Sequence, residues 1–259
     1  MRFLQRLTVL MFLLIILYAA NSTAADTAFT YGQSEMNRDL ICHRIGREDA
    51  DSSILLVFGI HGFEDAFDHD GEVLRMIAEE MIAHYTDSTE ELQNFCLYII
   101  PCANPDGMID GTTNHGFGRC NVNGFDINRD FSFNWIEDRT ERNQTGEEPF
   151  TTAEARAIRS LVEEINPTYG IDVHGWKDAV YGNGTMAEVF AKPFQTKINR
   201  LSTQGMLCAW LRSTTEDAIL IELPYPPDAK EYVTENTAKL IAGVNAWIAA
   251  CQSDIRPVR

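Results

Sequence analysis

An α/β domain is the fold class this sequence predicts, and three observations carry the prediction. Short, mostly apolar runs at 53–60, 95–100 and 218–223 have the composition of strands buried on both faces. Other segments repeat their apolar residues at helical spacing. The two kinds of segment alternate along the chain, the order from which sheets with crossover helices are built. At 259 residues the length suits one sizeable domain, since domains run to roughly 100–200 residues and α/β folds are often larger.

Each element follows from its own pattern. The run 53–60 reads as a strand that ends at His61. Val73, Ile77, Met81 and Ile82 fall on one face of a helix over 72–85. Phe95 to Ile100 is a second buried strand, stopped by Pro101. The segment 103–146 is rich in Asn, Asp and Gly without periodicity, which marks a long irregular loop of the kind that carries function. Thr151 or Thr152 can cap a helix through Ala157, Ile158, Leu161, Val162 and Ile165, closed by Asn166-Pro167. A strand over 168–173 then delivers His174, and a helix over 186–201, a strand over 218–223 and a helix over 231–250 complete the layout.

Composition narrows the function classes. The chain carries a net charge of -17 at pH 7, so a phosphate backbone would be repelled and no nucleic-acid partner is expected. Arg2 and Arg6, the apolar run 7–17 and the small residues that follow outline a secretory signal peptide over 1–25, leaving a domain over 26–259. Asn21 interrupts the apolar tract before it reaches the ~20 residues that cross a bilayer, so no stable membrane anchor is expected after cleavage. The expected location is secreted or periplasmic. Cys42, Cys96, Cys102, Cys120, Cys208 and Cys251 are compatible with disulfides in such a compartment, or with buried thiols. With no CxxC pair, a structural zinc finger is not expected.

The candidate chemistry gathers at strand ends. His61 and Glu64 stand three apart just past the first strand, a pair that alone could be a surface hydrogen bond. His174 stands at the end of another strand, and in open α/β sheets strand ends converge on the active site. Two His and one Glu with an open fourth position match a catalytic zinc site. Glu222 puts a carboxylate inside an apolar strand, where burial makes an unpaired charge costly unless it has a task; an edge strand facing solvent is the alternative. Asn128, Arg129 and Arg119 supply an amide and two guanidiniums suited to holding a carboxylate and a developing oxyanion.

His61-Gly62-Phe63-Glu64, Asn104-Pro105-Asp106-Gly107, the run from Arg119 through Asp126-Ile127-Asn128-Arg129-Asp130-Phe131, His174 and Glu222 together resemble the zinc metallocarboxypeptidases related to carboxypeptidase A. The resemblance spans most of the chain and implies a mixed, mostly parallel central sheet flanked by helices. It implies that His61, Glu64 and His174 bind one zinc ion, and that Glu222 is general base and then general acid. Arg119 would polarise the scissile carbonyl, Asn128 and Arg129 would hold the terminal carboxylate of a peptide substrate, and Asp126 would orient His61. The family's mobile tyrosine, upstream of the catalytic Glu, has no clear counterpart; Trp210 lies in that region but has no hydroxyl. The short interval from His174 to Glu222 resembles the compact bacterial branch that includes murein-peptide amidases. The rival readings are a zinc-dependent deacylase of the succinylglutamate desuccinylase and aspartoacylase type, and a non-catalytic module that captures peptide termini.

Overall fold

Alternation along the strands decides what faces what. In β3 (Ser52–Phe58) Ile54, Leu56 and Phe58 enter one apolar core while Leu55 and Val57 enter another, as successive strand side chains must. The computed structural model describes residues 26–226 and 229–254, and the leader expected at 1–25 lies outside them. Its central sheet has eight strands. From one edge to the other these are β1 (Thr27–Gln33), β2 (Asp39–Gly46), β4 (Phe95–Ile100), β3, β6 (Tyr169–Gly175), β9 (Asp217–Leu223), β7 (Ala179–Tyr181) and β8 (Lys197–Asn199). The middle four, β4, β3, β6 and β9, run parallel; β2 joins β4 and β7 joins β9 antiparallel, with β1 antiparallel to β2 and β8 parallel to β7 at the edges. This is the mixed α/β sheet expected of the sequence.

Helices close both faces. Leu74 and Ile77 of α1 (Gly71–Asp87), Phe190 of α4 (Thr185–Phe194) and Leu240 and Val244 of α6 (Ala229–Asp254) pack with Ile54 and Ile219. On the opposite face Ile158 and Leu161 of α3 (Ala153–Ile165) and Leu211 of α5 (Leu207–Thr214) pack with Leu55 and Ala218. Thr152 caps α3 by accepting from Ala155 N–H, and Asn166 ends it in the left-handed region at φ 43°. No helix among the described residues is long and apolar enough to cross a membrane.

Several expectations are corrected. The segment 103–146 is not one irregular loop. It holds α2 (Pro105–Asp110), β5 (Thr113–Cys120), which stands outside the eight-stranded sheet, and two turns of 3₁₀ helix at Ile127–Arg129 and Glu141–Asn143. The helix expected over 186–201 stops at Phe194, because Pro193 cannot continue the ladder and Gln195 turns left-handed at φ 53°; β8 follows. The hairpin β1–β2 and the short α5 escaped notice, since their mixed polar and apolar residues show too little periodicity over so few positions. The sequence leaves both readings of the cysteines open, and Cys42, Cys96, Cys102, Cys120 and Cys208 are thiols. Burial pushes the Cys96 thiol up to about 11 and those of Cys102 and Cys120 up to about 12.

Candidate metal and catalytic centre

Parallel register brings the site together. Phe58 of β3 lies opposite Val173 of β6, and His174 lies opposite Glu222 of β9. His61 follows β3 by three residues, so three neighbouring strands deliver His61, His174 and Glu222 to one end of the sheet. Strand parity sets the direction: Ile171, Val173, Ile221 and Leu223 enter one core, which turns Asp172, His174, Leu220 and Glu222 to the other side.

The chain turns sharply after β3 to place Glu64. Gly62 sits so close to α2 that a Cβ there would lie 2.4 Å from Met108 N, and its own N–H donates to Gly118 O at 3.0 Å. Glu64 Oε2 then lies 3.2 Å from His61 Nδ1 and Oε1 lies 2.8 Å from His174 Nδ1. One donor atom from each of His61, Glu64 and His174 falls within 4.8 Å of the other two, and all three residues are buried.

The far ring nitrogens show how the site fits a metal. His61 Nε2 lies 3.0 Å from Asp126 Oδ1, and His174 Nε2 lies 2.9 Å from Asp172 Oδ1. At His61 the carboxylate hydrogen-bonded to Nε2 holds the proton there and leaves the Nδ1 lone pair for an ion, the arrangement that accompanies histidine ligands of zinc; at His174 the carboxylate supplies negative charge rather than an aligned bond. Asp172 is fully buried and its oxygens receive no well-aligned hydrogen bond among the described residues, so the off-axis contact to His174 is its main electrostatic partner. Burial pushes the Glu64 and Asp126 carboxyls upward; His174 and His61 outweigh it at Glu64, and Arg119 with His61 outweighs it at Asp126, so both stay well below the usual carboxylate range. The donor set of two imidazoles and a carboxylate fits a catalytic zinc.

The remaining expected residues line the same cavity. Arg119 is buried, with Nη1 3.0 Å from His61 Nδ1 and Nη2 donating to Asp126 Oδ2 at 3.3 Å. Asn104 holds it in place. Its Oδ1 caps α2 by accepting from Gly107 N–H at 2.9 Å, while Nδ2 donates to the carbonyls of Arg119 and Cys120 at 3.3 and 3.2 Å. What reads as a simple turn motif is thus also the support of Arg119. The Leu207 N–H donates to Asn128 Oδ1 at 2.8 Å, which fixes the amide so that Nδ2 turns toward His174, 3.0 Å from its Nε2. Arg129 is half-buried and donates through Nη1 to the Asn128 carbonyl at 2.7 Å.

Glu222 is no edge residue. Strand β9 lies between β6 and β7, and Glu222 is only 8 % exposed. Its Oε1 accepts from Lys177 Nζ at 3.0 Å, and its Oε2 is buried without a hydrogen-bond partner among the described residues. Burial holds this carboxyl above its ordinary range, against the opposing pull of His174 and, more weakly, Lys177.

Four contributions escape sequence reasoning. Asp172 was legible in principle, because a D-x-H string on a strand puts both side chains on one face. Lys177 and Tyr225 reach the cavity from loops and Arg142 from the single 3₁₀ turn Glu141–Asn143, where no period signals a direction. Arg142 is paired with Asp65 through both guanidinium nitrogens. Tyr225, three residues past Glu222 and 59 % exposed, brings a phenol to the rim of the cavity. Trp210 belongs to the core instead, its ring stacked 5.3 Å from Phe131.

Over residues 17–223 the sequence matches the zinc carboxypeptidase family. It is 35 % identical over 202 residues to Bacteriocin BCN5 of Clostridium perfringens, which covers 75 % of this chain but only 22 % of that protein's length. It is 24 % identical over 237 residues to Murein peptide amidase A of Escherichia coli K12, covering 84 % of this chain and 88 % of the amidase. The fold matches the crystal structure of carboxypeptidase A from Helicoverpa armigera with a TM-score of 0.72 at 18 % identity, over 90 % of this chain and 71 % of the other.

Proposed function

The chain belongs to the zinc carboxypeptidase family, and from that premise we propose that it hydrolyses the peptide bond beside a free C-terminal carboxylate, with murein peptides as the substrate class. The observation that carries the reading is Glu222, buried beside the metal triad with one oxygen unpaired and facing the cavity side of the sheet. Zinc held by His61, Glu64 and His174 supplies Lewis-acid polarisation of the scissile carbonyl and acidifies water. Glu222 takes a proton from the attacking water at Oε2 and later gives it to the leaving amine. Lys177 keeps Oε1 occupied, so the free oxygen is the one that acts.

Arg119 directs a donor at the oxygen on which negative charge develops, from a buried position where that charge is poorly screened. Arg129 and the Asn128 amide hold the substrate's terminal carboxylate, and Tyr225 closes over it from the rim. The cavity, about 240 Å³, has room for a terminal residue beside the metal triad. The similarity to a murein peptide amidase along nearly its whole length supports a cell-wall peptide, and an export leader over 1–25 would carry the enzyme to that substrate.

The test is a mass spectrum of products from a peptide panel, with a chelated sample beside it. The panel combines ordinary peptides with free or amidated C-termini and a murein stem peptide. Chelator-sensitive cleavage of the stem peptide is the expected result. Removal of single C-terminal residues from ordinary peptides alone would replace murein by protein substrates, and no cleavage of any peptide would return the deacylase reading.

A further inference from the structure

Asp70 stands immediately before α1, yet its side chain makes no capping bond to that helix. The carboxylate is fully buried and turned the other way, into the loop that carries Glu64. Oδ1 accepts from Glu64 N–H at 2.5 Å, and Oδ2 accepts from Ala66 N–H at 2.8 Å and from Trp176 Nε1 at 2.8 Å. Between the two bonded amides Asp65 adopts φ 76°, a left-handed conformation that side chains other than glycine seldom take. Two hydrogen bonds to one carboxylate hold that turn, and the turn sets the direction in which Glu64 leaves the chain. The third bond reaches Trp176, two residues beyond His174 on the segment that leaves β6. A single carboxylate therefore ties the main chain of one ligand to the strand exit of another.

We propose that Asp70 is a positioning residue for the metal centre: it fixes Glu64 relative to His174 and so sets the affinity and symmetry of the metal site. This rests on the His61, Glu64 and His174 triad and on nothing about the substrate. Charge-assisted bonds from an ionised acceptor are the strong kind, and partners that orient metal ligands typically control about 10–100-fold in metal affinity.

The test uses Asp70→Asn and Trp176→Phe. The amide retains the size of the side chain but turns an NH₂ group toward at least one backbone N–H, whereas phenylalanine keeps an aromatic ring, removes the Nε1 bond and trims the packing on Tyr232, a loss that the metal-free Tm reports. Three quantities are measured for each variant and the wild type: zinc affinity by competition with a chromophoric chelator, the visible spectrum of the cobalt(II)-loaded protein, and the Tm of the metal-free protein. Asp70→Asn is expected to weaken zinc by about 10–100-fold and to alter the cobalt spectrum, with Trp176→Phe moving both less and in the same direction. Zinc affinity within twofold of wild type with an unchanged cobalt spectrum in both variants, whatever their Tm, would overturn the proposal. If Asp70→Asn does not fold, Trp176→Phe decides by the same two readouts. Because no turnover enters, a failure here leaves the proposed hydrolytic reaction standing, and a failure of that reaction leaves this result readable.

Discussion

Glu222 and Lys177 show what one ion pair does for the site. Glu222→Gln keeps the shape of the side chain but removes its ability to accept a proton, so kcat should fall by about 10²–10⁴-fold while zinc affinity stays near wild type. A kcat within tenfold of wild type would assign the base elsewhere. Lys177 Nζ, 3.0 Å from Glu222 Oε1, favours the ionised carboxylate. A carboxylate that serves as base works only when deprotonated, so under the proposed mechanism activity is lost as pH falls through the pKa of Glu222. In Lys177→Met that pKa rises, and the acidic limb of kcat/KM should move to higher pH. The shift will be modest, because the Lys177 side chain is 66 % exposed and solvent screens the pair. A limb that stays put would show that Lys177 does not act on the base. At this scale the metal triad, Asp126, Arg119, Asn128, Arg129 and Glu222 were legible, since each lies in a short motif or ends a patterned strand. Lys177 and Tyr225 were not, because loop geometry alone brings them to the cavity.

Elements hold these residues through contacts that pattern analysis reads unevenly. Strands β3, β4 and β9 were visible as mostly apolar runs because both of their faces are buried, β6 was visible as the short segment between Pro167 and His174, and the boundaries of all four fell within two residues. The segment from Arg119 to Phe131, the end of β5 and the 3₁₀ turn after it, was visible only as a motif, and support for its Arg129–Phe131 end comes from a residue far along the chain. Gly205 has φ 63°, and a Cβ there would lie 2.4 Å from Arg129 O; the same segment pairs with Phe131 through its carbonyl at 3.0 Å. Gly205→Ala must displace the backbone that carries Asn128 and Arg129. The expected cost is about 1–3 kcal/mol of stability, with a larger fall in kcat/KM for peptides with a free C-terminus than for amidated ones. Equal losses on both substrates would mean that the loop does not read the terminal carboxylate.

For the whole molecule, charge and metal binding set the behaviour. The chain carries a net charge of -17, whereas the cavity brings Arg119, Arg129, Arg142 and Lys177 together with Glu64, Asp65 and Glu222, so basic groups offset the acidic ones there. Zinc bound only by the folded chain stabilises it by about 4 kcal/mol when free zinc exceeds its Kd a thousandfold. Chelation should therefore lower Tm by several degrees, and restoring zinc should recover it; a Tm indifferent to the metal would place the ligands on a scaffold that does not sense it. The fold class was legible because alternation of strands and helices is a global pattern, whereas the thiol state of the cysteines was not, since an even count fits both thiols and bridges. That state has a practical consequence. Five cysteines sit as protonated sulfhydryls within the structure, and no covalent cross-link among them is part of the fold. Its assembly requires no oxidant, so a cell with a reducing interior is as suitable a place to make this enzyme as an oxidising one, and dithiothreitol should leave its far-UV circular dichroism unchanged.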